Sequence, residues 1–213
     1  MYPPHEVAAV ILAGGESQRM GTNKALLEIA GQPLIARTAA RVHTLCAEII
    51  VVTNTPEVYR FLASEFGARL VADAYPARGS LVGLYSGLRA AQSPLAVALA
   101  CDMPLLNLGL LRAMIGLAAG YDAVVPRIDG QAEPLHAIYR PAVCAPAILR
   151  HLELGDRRMI SFLPDVQVHF LDAADVEAHD PRRLSFMNVN TPAEWAAAQV
   201  WLSEAGGDHG PGL

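Results

Sequence analysis

Val7–Leu12 (VAAVIL) is apolar at every position, and Leu95–Asp102 (LAVALACD) is nearly so. A strand with one wet face alternates apolar and polar residues. A strand that is apolar throughout is covered on both faces, which confines it to the interior of a sheet packed between helices. EIIVVTN (Glu48–Asn54) and ARLVAD (Ala68–Asp73) read as two further strands. Between these runs the apolar period changes. Leu34/Ile35, Ala39, Val42 and Leu45/Cys46 fall at helical spacing, with Pro33 in the first turn. Thr55-Pro56 opens a second helix, to about Phe66. Leu81, Leu84, Tyr85 and Leu88 mark one face of a third. Asn107 caps a fourth, which ends near Ala119 before Gly120. The alternation predicts an α/β fold: a three-layer, Rossmann-like open sheet, mostly parallel.

After Tyr121 the pattern changes. DAVVPRI and QAEPLHAIYR predict two strands around a turn at Asp129-Gly130. A helix from Pro141 to about Leu154, a polar-to-helical link (GDRRMISFLPD) and a strand (VQVHFLD) follow. Thr191, Pro192 and Glu194 predict an N-capped terminal helix. No linker divides the chain. Residues 1–205 are expected to form one domain and 206–213 a disordered tail.

Composition excludes several classes. The 213 residues are 53% hydrophobic and 17% charged, which disfavours disorder. The net charge of −5 provides no nucleic-acid footprint. Cys46, Cys101 and Cys144 are odd in number and widely spaced, so neither a disulfide framework nor a zinc site is expected. No Lys or Arg precedes the first apolar run, and no apolar stretch is long enough to span a bilayer. The expectation is a soluble, cytoplasmic protein without membrane contact.

In open α/β sheets, ligands bind beyond the carboxyl ends of the strands. Here those ends carry Gly14-Gly15, Asn54, Asp73 and Asp102. Gly14 and Gly15 let backbone N–H groups approach phosphate oxygens, and Arg19 and Lys24 add charge. Asp102 would repel phosphates unless a cation such as magnesium bridged the two. An idle carboxylate after so apolar a strand is costly, so a metal role is preferred for it. Asn54 could instead cap the following helix, and Asp73 could be a turn residue. The basic pairs Arg157/Arg158 and Arg182/Arg183 suit solvent or a substrate phosphate. His136 suits either a structural or a substrate-facing place. The loop matches neither G-x-x-x-x-G-K-[ST] nor G-x-G-x-x-G.

LAGGESQRMGTNKALLEIAGQPLI resembles the L-A-G-G-x-S-x-R-M-G-x-x-K signature of nucleotidyltransferases, in the branch of molybdenum cofactor guanylyltransferases. VVTN, VADAYPARGSLVGLYSGL, ACDMPLL, EPLHAIY and NVNTPAEW extend the resemblance over about Val7 to Gln199. It implies a nucleotidyltransferase-type fold and transfer of GMP from GTP to molybdenum-molybdopterin, with magnesium as cofactor and pyrophosphate released. It places the nucleotide against Leu12, Ala13, Gly14, Gly15, Lys24, Asn54, Asp73 and Asp102. The metal falls on Asp102 and Asn190, with Asn188 lining the same site. Arg19, Lys24 and Asp102 carry catalysis. Molybdoenzymes or their chaperones are the implied recipients.

Two departures stand out. Asn23 replaces the Asp that often precedes the lysine, and GSLVG replaces G-P-L-A-G. Two alternatives stay open: a cytidylyltransferase for the same cofactor, and a non-catalytic carrier that binds GTP or molybdopterin.

Overall fold

A computed structural model describes residues 6–14, 23–189 and 191–206. Gly15, Arg19, Asn190 and the expected tail from 207 onward lie outside the described residues. The chain forms strands β1 (Val7–Leu12), β2 (Glu28–Ile29), β3 (Gln32–Pro33), β4 (Glu48–Val52), β5 (Arg69–Val71) and β6 (Leu95–Ala100). These are followed by β7 (Ala123–Ile128), β8 (Gln131–Ala132), β9 (His136–Tyr139) and β10 (Val168–Leu171). The helices are α1 (Leu34–His43), α2 (Arg60–Phe66), α3 (Ser80–Ala90), α4 (Leu108–Leu117), α5 (Pro141–Glu153), α6 (Ala173–Glu177) and α7 (Pro192–Gly206).

The main sheet runs β10-β7-β9-β6-β1-β4-β5, with β8 paired to β7. β1 is parallel to both neighbours, with Val10 facing Ile50 on one side and Ala98 on the other. β9 is antiparallel to β6 and to β7. The strand alternation sorts the core into two layers. Ile11, Val51, Val97, Leu99, Val124 and Ile138 pack with α1, α2, α4 and α6. Ala8, Ala96, Ala98, Ala123 and Ala137 lie on the other face with α3 and α5.

The alanine-rich face lets its helices come close. A Cβ at Gly87 of α3 would lie 2.1 Å from Val10 Cγ1, and one at Gly83 would lie 3.1 Å from Leu12 Cδ2. Glycine is thus required at 87 by contact with β1, and the close packing brings the start of α3 to the end of β1.

Pro33 stands just before α1 instead of in its first turn, because it pairs across to Glu28 in the small β2-β3 hairpin. The third cluster, Ile29, Leu34, Val189 and Ala198, fastens α7 to that hairpin. Thr191 and Glu194 make the expected reciprocal cap: Thr191 N–H donates to Glu194 Oε2 (2.8 Å) and Glu194 N–H to Thr191 Oγ1 (3.2 Å).

Between Tyr121 and Arg140 the chain holds three strands where two were expected. Asp129 (φ 50°) and Gly130 (φ 80°) form the tight turn that Asp-Gly favours, joining β7 to β8. The return arm then leaves β7 and re-enters the sheet as β9, between β7 and β6.

Candidate active site

From β1 the chain proceeds outward through β4 and β5, then crosses to β6 on the opposite side of β1. The carboxyl ends of β1 and β6 therefore flank the point where the winding reverses, where an open sheet leaves a crevice. Because β9 runs antiparallel, its start lies at the same edge. A cleft of about 350 Å³ opens there. Leu12 and Gly14 border it from β1, Ala100 to Met103 from β6, and Glu133, Pro134 and Leu135 from the approach to β9. Ser80, Met159 and Asn188 complete it. Ser80 is the first residue of α3, after Gly79 at φ 137°, so the positive end of that helix dipole lies at the cleft. A Cβ on Gly14 would meet only Val52 O, at 3.8 Å. Packing among the described residues does not demand that glycine.

Asp102 stands two residues beyond β6 and is half-buried. Burial raises the pKa of its carboxyl, which a backbone N–H and the Lys24 charge partly offset, and Glu194 raises it further. Lys24 begins a short turn, Lys24–Leu26. Asp102 also fixes the opposite wall through its backbone: Val189 N–H donates to its carbonyl (3.1 Å), beside Asn188. That wall is braced from below. Asp180 accepts from Leu184 and Ser185 N–H, and the Phe186 ring lies 4.7 Å from that of His136. His136 is buried, neither ring nitrogen has a partner among the described residues, and desolvation lowers its pKa to about 4 despite Asp180. It is a neutral core residue, not a cleft-facing one.

The sequence reading missed Tyr59. Its side chain is 1% exposed, and its hydroxyl joins two segments. Asn23 Nδ2 donates to Tyr59 Oη (2.9 Å), which donates to the Ala13 carbonyl (3.2 Å). Asn23 Oδ1 accepts from Ala25 N–H (3.2 Å), capping the turn that carries Lys24. The amide at position 23 can both donate to the hydroxyl and accept from it (Oδ1, 3.3 Å), whereas a carboxylate could only accept. Tyr59→Phe keeps the ring and removes both bonds. It is expected to lower stability by about 1–3 kcal/mol, read as an earlier denaturant midpoint at unchanged slope. A wild-type midpoint would show that the hydroxyl contributes nothing.

Asn54 and Asp73 do come together, two residues past β4 and β5, but they engage each other. Asn54 Nδ2 donates to Asp73 Oδ2 (2.8 Å) and Asp73 N–H to Asn54 Oδ1 (3.0 Å). Asn54 caps no helix. The pair braces the β4/β5 margin beside the cleft and does not line it. Ala13 also points to β4, its N–H donating to Val52 O (3.0 Å). Three of these four arginines have partners: Arg158 with Asp156, Arg183 with Glu177 and Asp129, and Arg182 over the Trp201 ring. Ser80 lies in the GSLVG segment expected near the base pocket, while Glu133 and Met159 were missed as cleft residues. Each of those two needs the β9 insertion or the link after α5 to bring it there.

The described residues contain no group of three or more His, Cys, Asp or Glu able to hold a metal by themselves, and no helix long and apolar enough to cross a membrane. Cys46, Cys101 and Cys144 are unbridged, and burial pushes each thiol up to about 12.

Residues 9–169 match the MobA-like NTP transferase domain. A probable molybdenum cofactor guanylyltransferase of Chloroflexus aggregans is 35% identical over 204 residues, covering 92% of this chain and 95% of the relative. A molybdenum cofactor guanylyltransferase of Desulfosudis oleivorans is 35% identical over 196 residues, covering 91% and 95%. Among solved structures, the molybdopterin-guanine dinucleotide biosynthesis protein A of Archaeoglobus fulgidus superposes with a TM-score of 0.78 at 26% identity, covering 93% of this chain and 99% of that one. By its sheet order, its switch-point cleft and these matches, the chain belongs to the MobA-like NTP transferase family.

Proposed function

We propose that this chain transfers the GMP moiety of GTP to molybdenum-loaded molybdopterin, giving molybdopterin guanine dinucleotide and pyrophosphate. The observation that carries the reading is the meeting of Asp102 with Gly14 and the α3 N-terminus around one switch-point cleft, with the Lys24 charge acting on Asp102. The guanylyltransferase relatives supply the choice of base and acceptor.

In the transfer, an oxygen of the acceptor's terminal phosphate forms the bond to the α-phosphorus of GTP. The bond from that phosphorus to the bridging oxygen breaks, and pyrophosphate leaves with its electron pair. The attacking oxygen is already ionised, so no strong general base is required. The protein's part is positioning and charge stabilisation. Gly14 gives backbone access to phosphate oxygens, with Gly15 assigned the same part. Lys24 offsets charge on the leaving group, and Arg19 is assigned the same role. Leu12 and Ala13 border the nucleotide, while Asn54 and Asp73 hold the margin nearest its base.

Asp102 suits magnesium: it is a hard oxygen donor, half-buried, with burial working against its charge. A lone carboxylate is the protein share that Mg²⁺ takes when substrate phosphates and water fill its remaining positions. Asn188 lines the same cleft, and Asn190 is assigned beside it. When bound, the ion supplies charge neutralisation between the carboxylate and the phosphates.

The test offers the chain GTP, CTP or ATP with magnesium and molybdenum-loaded molybdopterin, and identifies the dinucleotide. The expected product contains guanine. Turnover with CTP equal to or above that with GTP would reassign the base, and nucleotide binding without pyrophosphate release would make the chain a carrier.

A further inference from the structure

The sheet gives up regular pairing at one place to bring three residues to the cleft. Arg127 of β7 faces Ala132, and Val124 faces Ile138. Three steps along β7 thus correspond to six along the return arm, and the excess is the excursion Glu133-Pro134-Leu135. Displacements of this kind re-aim side chains beside functional sites.

The excursion is held firmly. Glu133 N–H donates to Pro126 O (2.9 Å), and His136 N–H to Glu133 O (3.1 Å), closing a turn with Pro134 in its favoured second position. Ala100 N–H donates to Leu135 O (3.3 Å), and Tyr139 Oη to Pro134 O (2.9 Å). Glu133 lines the cleft with its backbone so engaged. Among the described residues its carboxylate has no hydrogen-bond or ion-pair partner, and burial raises its pKa. A half-buried acceptor on a fixed turn suits a ligand that brings its own N–H donors.

The sheet order separates the two substrates. β6 lies between β1 and β9, so the end of β6 that leads to Asp102 is flanked by the end of β1 that leads to Gly14 on one side and by the approach to β9 that carries Glu133 on the other. With the nucleotide phosphates at Gly14 and the α3 N-terminus, the acceptor must reach the α-phosphorus from the β9 side. Pro134 and Leu135 line that side, and Met159 lines the cleft as well, giving apolar and thioether surfaces suited to a flat ring.

We propose that Glu133 is a recognition residue for the acceptor: its two oxygens receive the ring N–H and the amino group of a 2-amino-4-oxopyrimidine edge, the edge a pterin carries. Guanine carries the same edge, and the strand order assigns Glu133 to the pterin. This rests on the guanylyltransferase reading above.

The test measures anaerobic binding of GTP and of molybdenum-free molybdopterin, separately and without turnover, to the wild type, Glu133→Ala and Glu133→Gln. Glu133→Ala is expected to weaken molybdopterin about tenfold and to leave GTP within about twofold. Glu133→Gln, near-isosteric and with one acceptor oxygen, is expected to fall between. Weaker GTP with unchanged molybdopterin would place guanine on Glu133 and overturn the proposal. Equal loss of both, or loss of neither, would also overturn it. A wild-type chain that binds GTP but no molybdopterin would fail the underlying reading before any variant is compared, and the proposal with it.

Discussion

Asp102→Asn leaves the fold intact and lowers the rate of nucleotidyl transfer by at least about a hundredfold, the scale of removing one preorganised electrostatic group. The amide keeps the shape and one acceptor oxygen but loses the charge that suits a cation among phosphates. Stability should move the opposite way. Burial raises the Asp102 carboxyl pKa, so the folded state disfavours its ionised form, and that cost appears as pH rises above the unfolded value. A neutral amide avoids it. The variant is therefore expected to unfold at or above the wild-type midpoint at neutral pH while losing activity. Magnesium titration of the residual rate should show a weaker midpoint. Full activity with an unchanged magnesium dependence would remove Asp102 from the site.

Lys24→Ala has the second largest expected effect. Loss of one charge-assisted phosphate contact should reduce transition-state stabilisation by about 2–4 kcal/mol, seen in kcat/KM for GTP. The pH profile provides an independent readout. Lys24 lowers the pKa of Asp102, so its removal lets that pKa rise further. Activity that needs ionised Asp102 is then lost at a higher pH on the acid side, and the acid limb of the profile moves up. A surface lysine with no part in the site would shift neither kcat/KM nor the limb.

The parts of this site that depend on strand ends were legible in the chain. Continuous apolar runs marked β1 and β6, and the polar residues just beyond the strands, Gly14, Asn54, Asp73 and Asp102, lie at one edge as expected. What those residues do with one another was not legible. Asn54 and Asp73 satisfy each other because β4 and β5 are neighbours, and local sequence does not encode that pairing. The β9 insertion was hidden for the same reason. QAEPLHAIYR reads as one strand, and only competition between β7 and β6 for its backbone splits it at Glu133–Leu135. Tyr59 resembled an ordinary core aromatic, since its hydroxyl relay depends on segments 36 and 46 residues away. α6 was missed although Asp172 and Asp175 form its capping box, because five residues give too little apolar periodicity to register.

The decisive measurement follows the nucleotide's phosphates. GTP labelled at the α-phosphorus or at the γ-phosphorus is incubated with the chain, magnesium and molybdenum-loaded molybdopterin, and the products are separated. The α-label is expected in a pterin-containing dinucleotide and the γ-label in pyrophosphate, in equal amounts. An α-label that stays in GTP, or that appears in GMP or GDP without entering a pterin product, would rule out nucleotidyl transfer to molybdopterin.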